Sequence, residues 1–233
     1  MGKLCGISEI KSLEDWKRIV GPDKWKKGKS AYELASSWLI KRGQFPPSLR
    51  KLFTQSEIPL FADLKLTYAI VESPVFLDSH KGPSMNDVLA YGESGKGQSS
   101  IVIAVEGKVD EAFDKPIHDW VRDGRQQPKP TRLKRLCFLN EQLQVDFEQD
   151  SRIGYQLLHR TASAIIEARK NGCDNAMLLI HSFESTKQGN FEDYSSFLSA
   201  YGINEPEKQK IFQVHLQPDP LTLYFLWFED SKS

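Results

Sequence analysis

The stretch "NDVLAYGESGKGQSSIVIAVEGKVDEAFD", Asn86–Asp114, decides how the chain is read. It holds two strand-like runs, "DVLAYG" and "SIVIAVEGKV", joined by the glycine-rich "ESGKGQS". Such a pair is expected to form an antiparallel hairpin. Side chains alternate along a strand, so Val102, Ala104, Glu106 and Lys108 share one face, and Ile101, Ile103, Val105 and Val109 the other. Counting outward from the turn sets Asp87, at the start of the first strand, opposite Glu106, near the end of the second. Two carboxylates meeting at one sheet end repel unless a proton or a cation lies between them. Magnesium suits an all-oxygen site with one or two carboxylates and retained waters. A lysine beside it can activate bound water or stabilise charge developing on phosphate. That is the equipment of phosphodiester hydrolysis, and Gly107 is expected to let backbone approach a ligand.

Upstream, "SAYELASSWLIKRG" predicts a helix. Ala31, Leu34, Ala35, Trp38 and Leu39 mark one apolar face, Ser30 and Glu33 form a capping box, and Gly43 is the stop. "GQFPPSLRKLF" predicts a turn and a short helix, and "LKLTYAIVES" a strand ending before Pro74. Downstream, Arg122–Arg135 is a polar, basic loop leading into the helix "RLKRLCFLNEQL". "YQLLHRTASAIIEARKNG" is a second strong helix, and the apolar run "NAMLLIHSF" a buried strand. A short helix, "FEDYSSFLSAYG", and a hairpin of "KIFQVHLQ" and "LTLYFLWFED" turning at "PDP" complete the pattern. The expected fold class is α/β, a mixed sheet flanked by helices. A core spans about 30–183, with an N-terminal extension at 1–29 and a C-terminal helix and hairpin at 190–229.

Bulk properties exclude more than they assign. Lys plus Arg and Asp plus Glu are 31 each, so net charge gives no support for nucleic acid or a membrane, and any such surface must be local. No apolar run reaches the length of a membrane span. Cys5, Cys137 and Cys173 are far apart, with no CxxC pair, and the N-terminus lacks an export-type run; a cytoplasmic setting is expected. "GESGKG" is not a phosphate loop, because two residues rather than four precede Gly-Lys and Gly97 follows Lys96. HExxH and G-x-S-x-G signatures are absent.

The pair Asn86–Asp87, followed 19 residues after Asp87 by "EGK" at Glu106–Lys108, resembles the PD-(D/E)xK nuclease superfamily. The element order, one helix, three strands, a helix and a strand, is similar too, over most of the chain. Within the superfamily it resembles an uncharacterised bacterial group carrying "EGKVDE" and "YQLLHRTASA". Asn86 replaces the usual proline. The resemblance implies a restriction-endonuclease-like core and a Mg²⁺- or Mn²⁺-dependent nuclease acting on nucleic acid, foremost DNA. It implies that Asp87 and Glu106 bind the metal and that Lys108 assists hydrolysis. Glu33 matches an extra acid of the metal site, although its capping role alone accounts for it. Gln156 matches a helical glutamine found in some branches, and Arg160 stands where a tyrosine is usual. Gln156, Arg160 and Ser163 share a polar stripe, so Arg160 faces either a phosphate or a carboxylate. Arg132, Lys134 and Arg135 are candidates for tracking a nucleic-acid backbone. Glu72 and Asp110 are expected to be solvated or structural, and His159 and His181 to be core residues. A homodimer fits cleavage of both strands. The alternative is a nuclease fold that only binds nucleic acid or a protein partner.

Overall fold

The structure, a computed structural model, describes all residues except 1, 7–8, 41–42, 79–81, 96–98, 184–187, 219 and 233, and the side chain of 188. Its strands are β1 (Lys3–Cys5), β2 (Lys65–Val75), β3 (Ser84–Ser94), β4 (Ser99–Lys108), β5 (Asn175–Phe183), β6 (Ile211–His215) and β7 (Thr222–Asp230). Its α-helices are α1 (Leu13–Val20), α2 (Ser30–Leu39), α3 (Pro47–Gln55), α4 (Pro59–Ala62), α5 (Ile117–Arg122), α6 (Pro130–Leu143), α7 (Tyr155–Lys170) and α8 (Gln188–Ser199). The strands form one mixed sheet in the order β1-β2-β3-β4-β5-β7-β6, which makes the protein α/β, as expected.

β2, β3 and β4 form an antiparallel meander, and β4, β5 and β7 run parallel. A parallel strand between two others is covered on both faces, so its sequence shows no alternation. β5 fits this, since all nine of its residues are buried. The β4 alternation holds: Val102 and Ala104 pack with α7, while Ile101, Ile103 and Val105 pack with Leu34 and Trp38 of α2. The two apolar clusters lie on opposite faces of the sheet, and α2 and α7 are set against them from either side.

Three local expectations are corrected. Ser30 and Glu33 do not form a capping box: Lys29 is the N-cap, without a side-chain cap bond. Glu33 reaches one residue further, accepting the Gly28 N–H at 2.9 Å, while the Ser30 hydroxyl donates to Glu111 at 3.0 Å. β2 runs through Pro74, opposite Met85. Among the described residues β1 pairs with Tyr68–Ile70 and stops short of Pro74, so the proline interrupts no β1–β2 pairing. α6 begins at Pro130, so Arg132, Lys134 and Arg135 are helical rather than in a loop. In the N-terminal stretch, β1 is an edge strand parallel to β2, and Trp16 of α1 is buried in the α2-side cluster. The connection containing Lys96 and Gly97, and Asp219 of the last turn, lie outside the described residues.

Candidate active site

The register of β3 and β4 pairs Val88 with Val105, and one further step sets Asp87 opposite Glu106. β2 and β3 pair Val71 with Val88 and Ser73 with Asn86, which sets Glu72 opposite Asp87. Three acidic residues therefore occupy one row across three strands. At Glu72 the backbone is left-handed, with φ of 49°. This residue breaks the alternation of β2: Val71 packs in the α2-side cluster, Val75 in the α7-side cluster. A non-glycine residue in this region costs about 1–3 kcal/mol and persists only where surrounding structure imposes it.

Glu72, Asp87, Glu106, Lys108 and Gln156 line one open cavity of about 520 Å³ at this end of the sheet. Ala31 and Leu34 of α2 close it on one side. Gly107 lines the same cavity. A Cβ there would lie 3.4 Å from Asp87 Oδ2 and Leu34 Cδ2 and 3.5 Å from Ser30 Cβ, all ordinary contacts. A larger groove of about 710 Å³, lined by Ser48, Leu52, Lys210 and Glu229 among others, lies away from these acids.

The polar network is dense. Glu106 Oε1 accepts from Lys108 Nζ at 3.0 Å and Gln156 Nε2 at 2.8 Å. Its Oε2 accepts from Arg160 Nε at 2.6 Å. Lys108 also donates to Gln156 Oε1 at 2.7 Å and the Ala112 carbonyl at 3.3 Å, so all three ammonium protons are directed. Arg160 Nη1 reaches Ser84 Oγ at 3.0 Å. Burial alone would raise the pKa of Glu106, but attraction from Lys108 and Arg160 outweighs it and holds the carboxyl below its usual range. Asp87 goes the other way. Burial, then the charge of Glu106, push it up to about 7, against the pull of Arg160 and the Gly107 N–H that donates to Oδ2 at 2.8 Å. Burial also raises Glu72. His159 is pushed well below its usual range by burial and by Arg160, Arg135 and Lys108.

Among the described residues, no three His, Cys, Asp or Glu side chains are grouped as a ready metal cage. The donor chemistry still fits a magnesium-type ion that keeps several waters. Asp87 makes no ion pair among the described residues, and its raised pKa marks a half-buried carboxylate short of positive charge. Glu106 retains a lone pair on Oε2, which takes the single bond from Arg160.

The structure thus brings Asp87, Glu106, Lys108 and Gln156 together. Glu33 stands apart: it is 1% exposed, does not line the cavity, and its carboxylate holds Gly28. Arg160 is 6% exposed and bound to Glu106, so it takes the carboxylate rather than a surface phosphate. Arg135 is held by both oxygens of Asp78 at 3.1 and 2.6 Å, and Arg132 pairs with Asp123 at 3.3 Å while its guanidinium lies 5.2 Å from the Trp120 ring. Lys134 is exposed on α6. Glu72 is the residue that sequence reasoning passed over, because a lone Glu before Ser-Pro carries no signal of a left-handed backbone.

The fold and site define a mixed α/β protein with a buried, hydrogen-bonded carboxylate–lysine centre at a sheet end. The chain belongs to the family described as a domain of unknown function (DUF6946), whose model matches residues 9–232. No curated protein and no solved structure matches it. Among the described residues no helix is long and apolar enough to cross a membrane.

Proposed function

We propose that the chain is a metal-dependent nuclease that hydrolyses phosphodiester bonds of nucleic acid. The observation that carries this reading is the meeting of Asp87, Glu106, Lys108 and Gln156, from β3, β4 and α7, on one open cavity. The order α2, β2–β4, α7, β5 supports the likeness to a restriction-endonuclease-like core. Asp87 and Glu106 would hold Mg²⁺ or Mn²⁺, which when bound supplies a Lewis acid and an activated water. Lys108 lends positive charge where the phosphorane-like transition state accumulates negative charge. Gln156 fixes that ammonium and orients Glu106, and Arg160 keeps Glu106 ionised. A cytoplasmic setting and, for cutting a duplex, a homodimer belong to the same reading.

The test is an assay of single- and double-stranded DNA and RNA with Mg²⁺ and with Mn²⁺. Metal-dependent cleavage that disappears in Asp87→Asn supports the proposal, and an inert protein across the panel defeats it. One observation favours a second reading, a non-catalytic module that binds nucleic acid or a protein partner. Lys108, Gln156 and Arg160 already engage both oxygens of Glu106, as expected of a site whose charge is internally balanced.

A further inference from the structure

The segment "DKWKKGK", Asp23–Lys29, joins the turn after α1 to α2. Lys24, Lys26 and Lys29 from it line the rim of the cavity that holds Asp87 and Lys108. The segment is pinned at three points. The buried Glu33 carboxylate holds the Gly28 N–H at 2.9 Å. Lys29 Nζ donates to both oxygens of Asp110, at 2.8 and 3.1 Å. Trp25 packs edge-on against Tyr32 with centroids 5.4 Å apart. Lys29 is thereby neutralised, whereas Lys24 and Lys26 are exposed and form no ion pair among the described residues.

The cavity also contains Asp23, Glu72, Asp87, Glu106 and Asp114, and so repels an anion unless cations stand beside it. The rim lysines supply them. A small phosphate is held by buried, fixed donors, whereas exposed lysines on long stems suit a polyanion, from which they displace counterions. Of the α6 cations, Arg132 and Arg135 are tied to Asp123 and Asp78, and Lys134 is exposed but does not line this cavity.

We propose that Lys24 and Lys26, fixed at the rim by the Glu33 clamp, hold the backbone of a nucleic-acid strand whose reacting phosphate lies at Asp87 and Lys108. The position of that phosphate rests on the nuclease reading; the binding role of the lysines does not. The experiment measures binding of labelled single- and double-stranded DNA and RNA oligonucleotides by the full chain, in EDTA, across a salt series. Wild type is compared with Lys24→Gln/Lys26→Gln and with Lys134→Gln. The double variant should lose roughly two charges' worth of the salt slope, about 1.4 for a single strand or 1.8 for a duplex. Lys134→Gln should keep the wild-type slope. An unchanged slope in the double variant, a loss confined to Lys134→Gln, or no oligonucleotide bound at any salt overturns the proposal. Cleavage is scored separately. If wild type cleaves and the double variant binds as wild type does, the rim assignment falls and the nuclease reading stands. If the double variant loses binding and wild type never cleaves, the rim stands and the catalytic reading falls.

Discussion

Arg160 Nε lies 2.6 Å from Glu106 Oε2, and both side chains are almost wholly removed from water. The pair ties the middle of α7 to the end of β4, and Ser84 on β3 completes the bracket through Arg160 Nη1. Removing one member of a buried pair strands the other and typically costs about 3–5 kcal/mol. Arg160→Met fills similar volume but leaves Glu106 with Lys108 as its sole cationic contact. Urea unfolding should show a midpoint lowered accordingly with an unchanged slope, and a midpoint near wild type would mean that the pair is no structural tie.

Lys108 looks from the sequence like a residue at a strand end, whose loss the fold would tolerate easily. The structure changes that expectation: it is 3% exposed and donates to Glu106, Gln156 and the Ala112 carbonyl. Lys108→Ala should therefore cost about 1–3 kcal/mol. Single-turnover cleavage, measured where circular dichroism shows the variant folded, should fall by orders of magnitude while oligonucleotide binding persists. Equal losses of binding and cleavage would remove the lysine from the chemical step.

Glu72 pairs a strained backbone with a place in the cavity. Glu72→Gly should relieve about 1–2 kcal/mol of strain, which for a chain of this size raises the melting temperature by a few degrees. Glu72→Ala removes the carboxylate but keeps the strain. It should melt below Glu72→Gly, and cleavage should fall in both. Identical melting of the two variants would show that the left-handed backbone is not a store of strain.

Gly154, the N-cap of α7, is needed for lack of space rather than for its backbone angles. A Cβ there would lie 2.6 Å from both Cβ and the carbonyl oxygen of Phe113 and 2.7 Å from Asp193 Oδ2. Gly154→Ala should destabilise by about 1–3 kcal/mol. It should also weaken activity, since α7 carries Gln156 and Arg160 two and six residues on. A thermal scan and a cleavage assay on one preparation check both effects.

His181 is fully buried between Trp38 Nε1, which donates to its Nδ1 at 3.3 Å, and Asp230 Oδ2, 3.3 Å from its Nε2. Burial holds the imidazole below its usual range despite Asp230. Asp230 is also lowered: burial would raise it, but His181 and the hydroxyls of Ser37 and Ser48 outweigh that. Both folded pKa values are depressed, so both groups contribute stability that is fully present above their unfolded values. For His181 the loss begins as pH falls below about 6.5, and for Asp230 below about 4. Asp230→Asn should flatten the lower part of the acid limb in a stability–pH profile. An acid limb as steep as wild type would assign the loss to other groups.

Much of the scaffold was legible because periodicity is local. The β4 alternation placed Glu106 and Lys108 correctly, and the continuous apolar run of β5 announced a strand covered on both faces. Hairpin register, counted from the turn, set Asp87 against Glu106, since antiparallel pairing leaves no freedom once the connection is short. Gln156 was accessible only through a likeness of motif.

The sequence by itself determined the mixed α/β class, the meander carrying the acids, and the helix carrying Gln156 and Arg160, because these follow from side-chain period and turn chemistry. Only the tertiary structure decided how charges are partnered. It turned Glu33 into a clamp on Gly28, sent Arg160 into the site, tied Arg132 and Arg135 to Asp123 and Asp78, and brought Glu72, Lys24, Lys26 and Lys29 to the cavity. The physical reason is that a charged side chain's role depends on the nearest opposite charge and the water left around it. Both depend on how the chain folds back, from the Glu33 carboxylate on Gly28, five residues away, to Arg160 and Glu106, 54 apart in sequence and 2.6 Å apart in space.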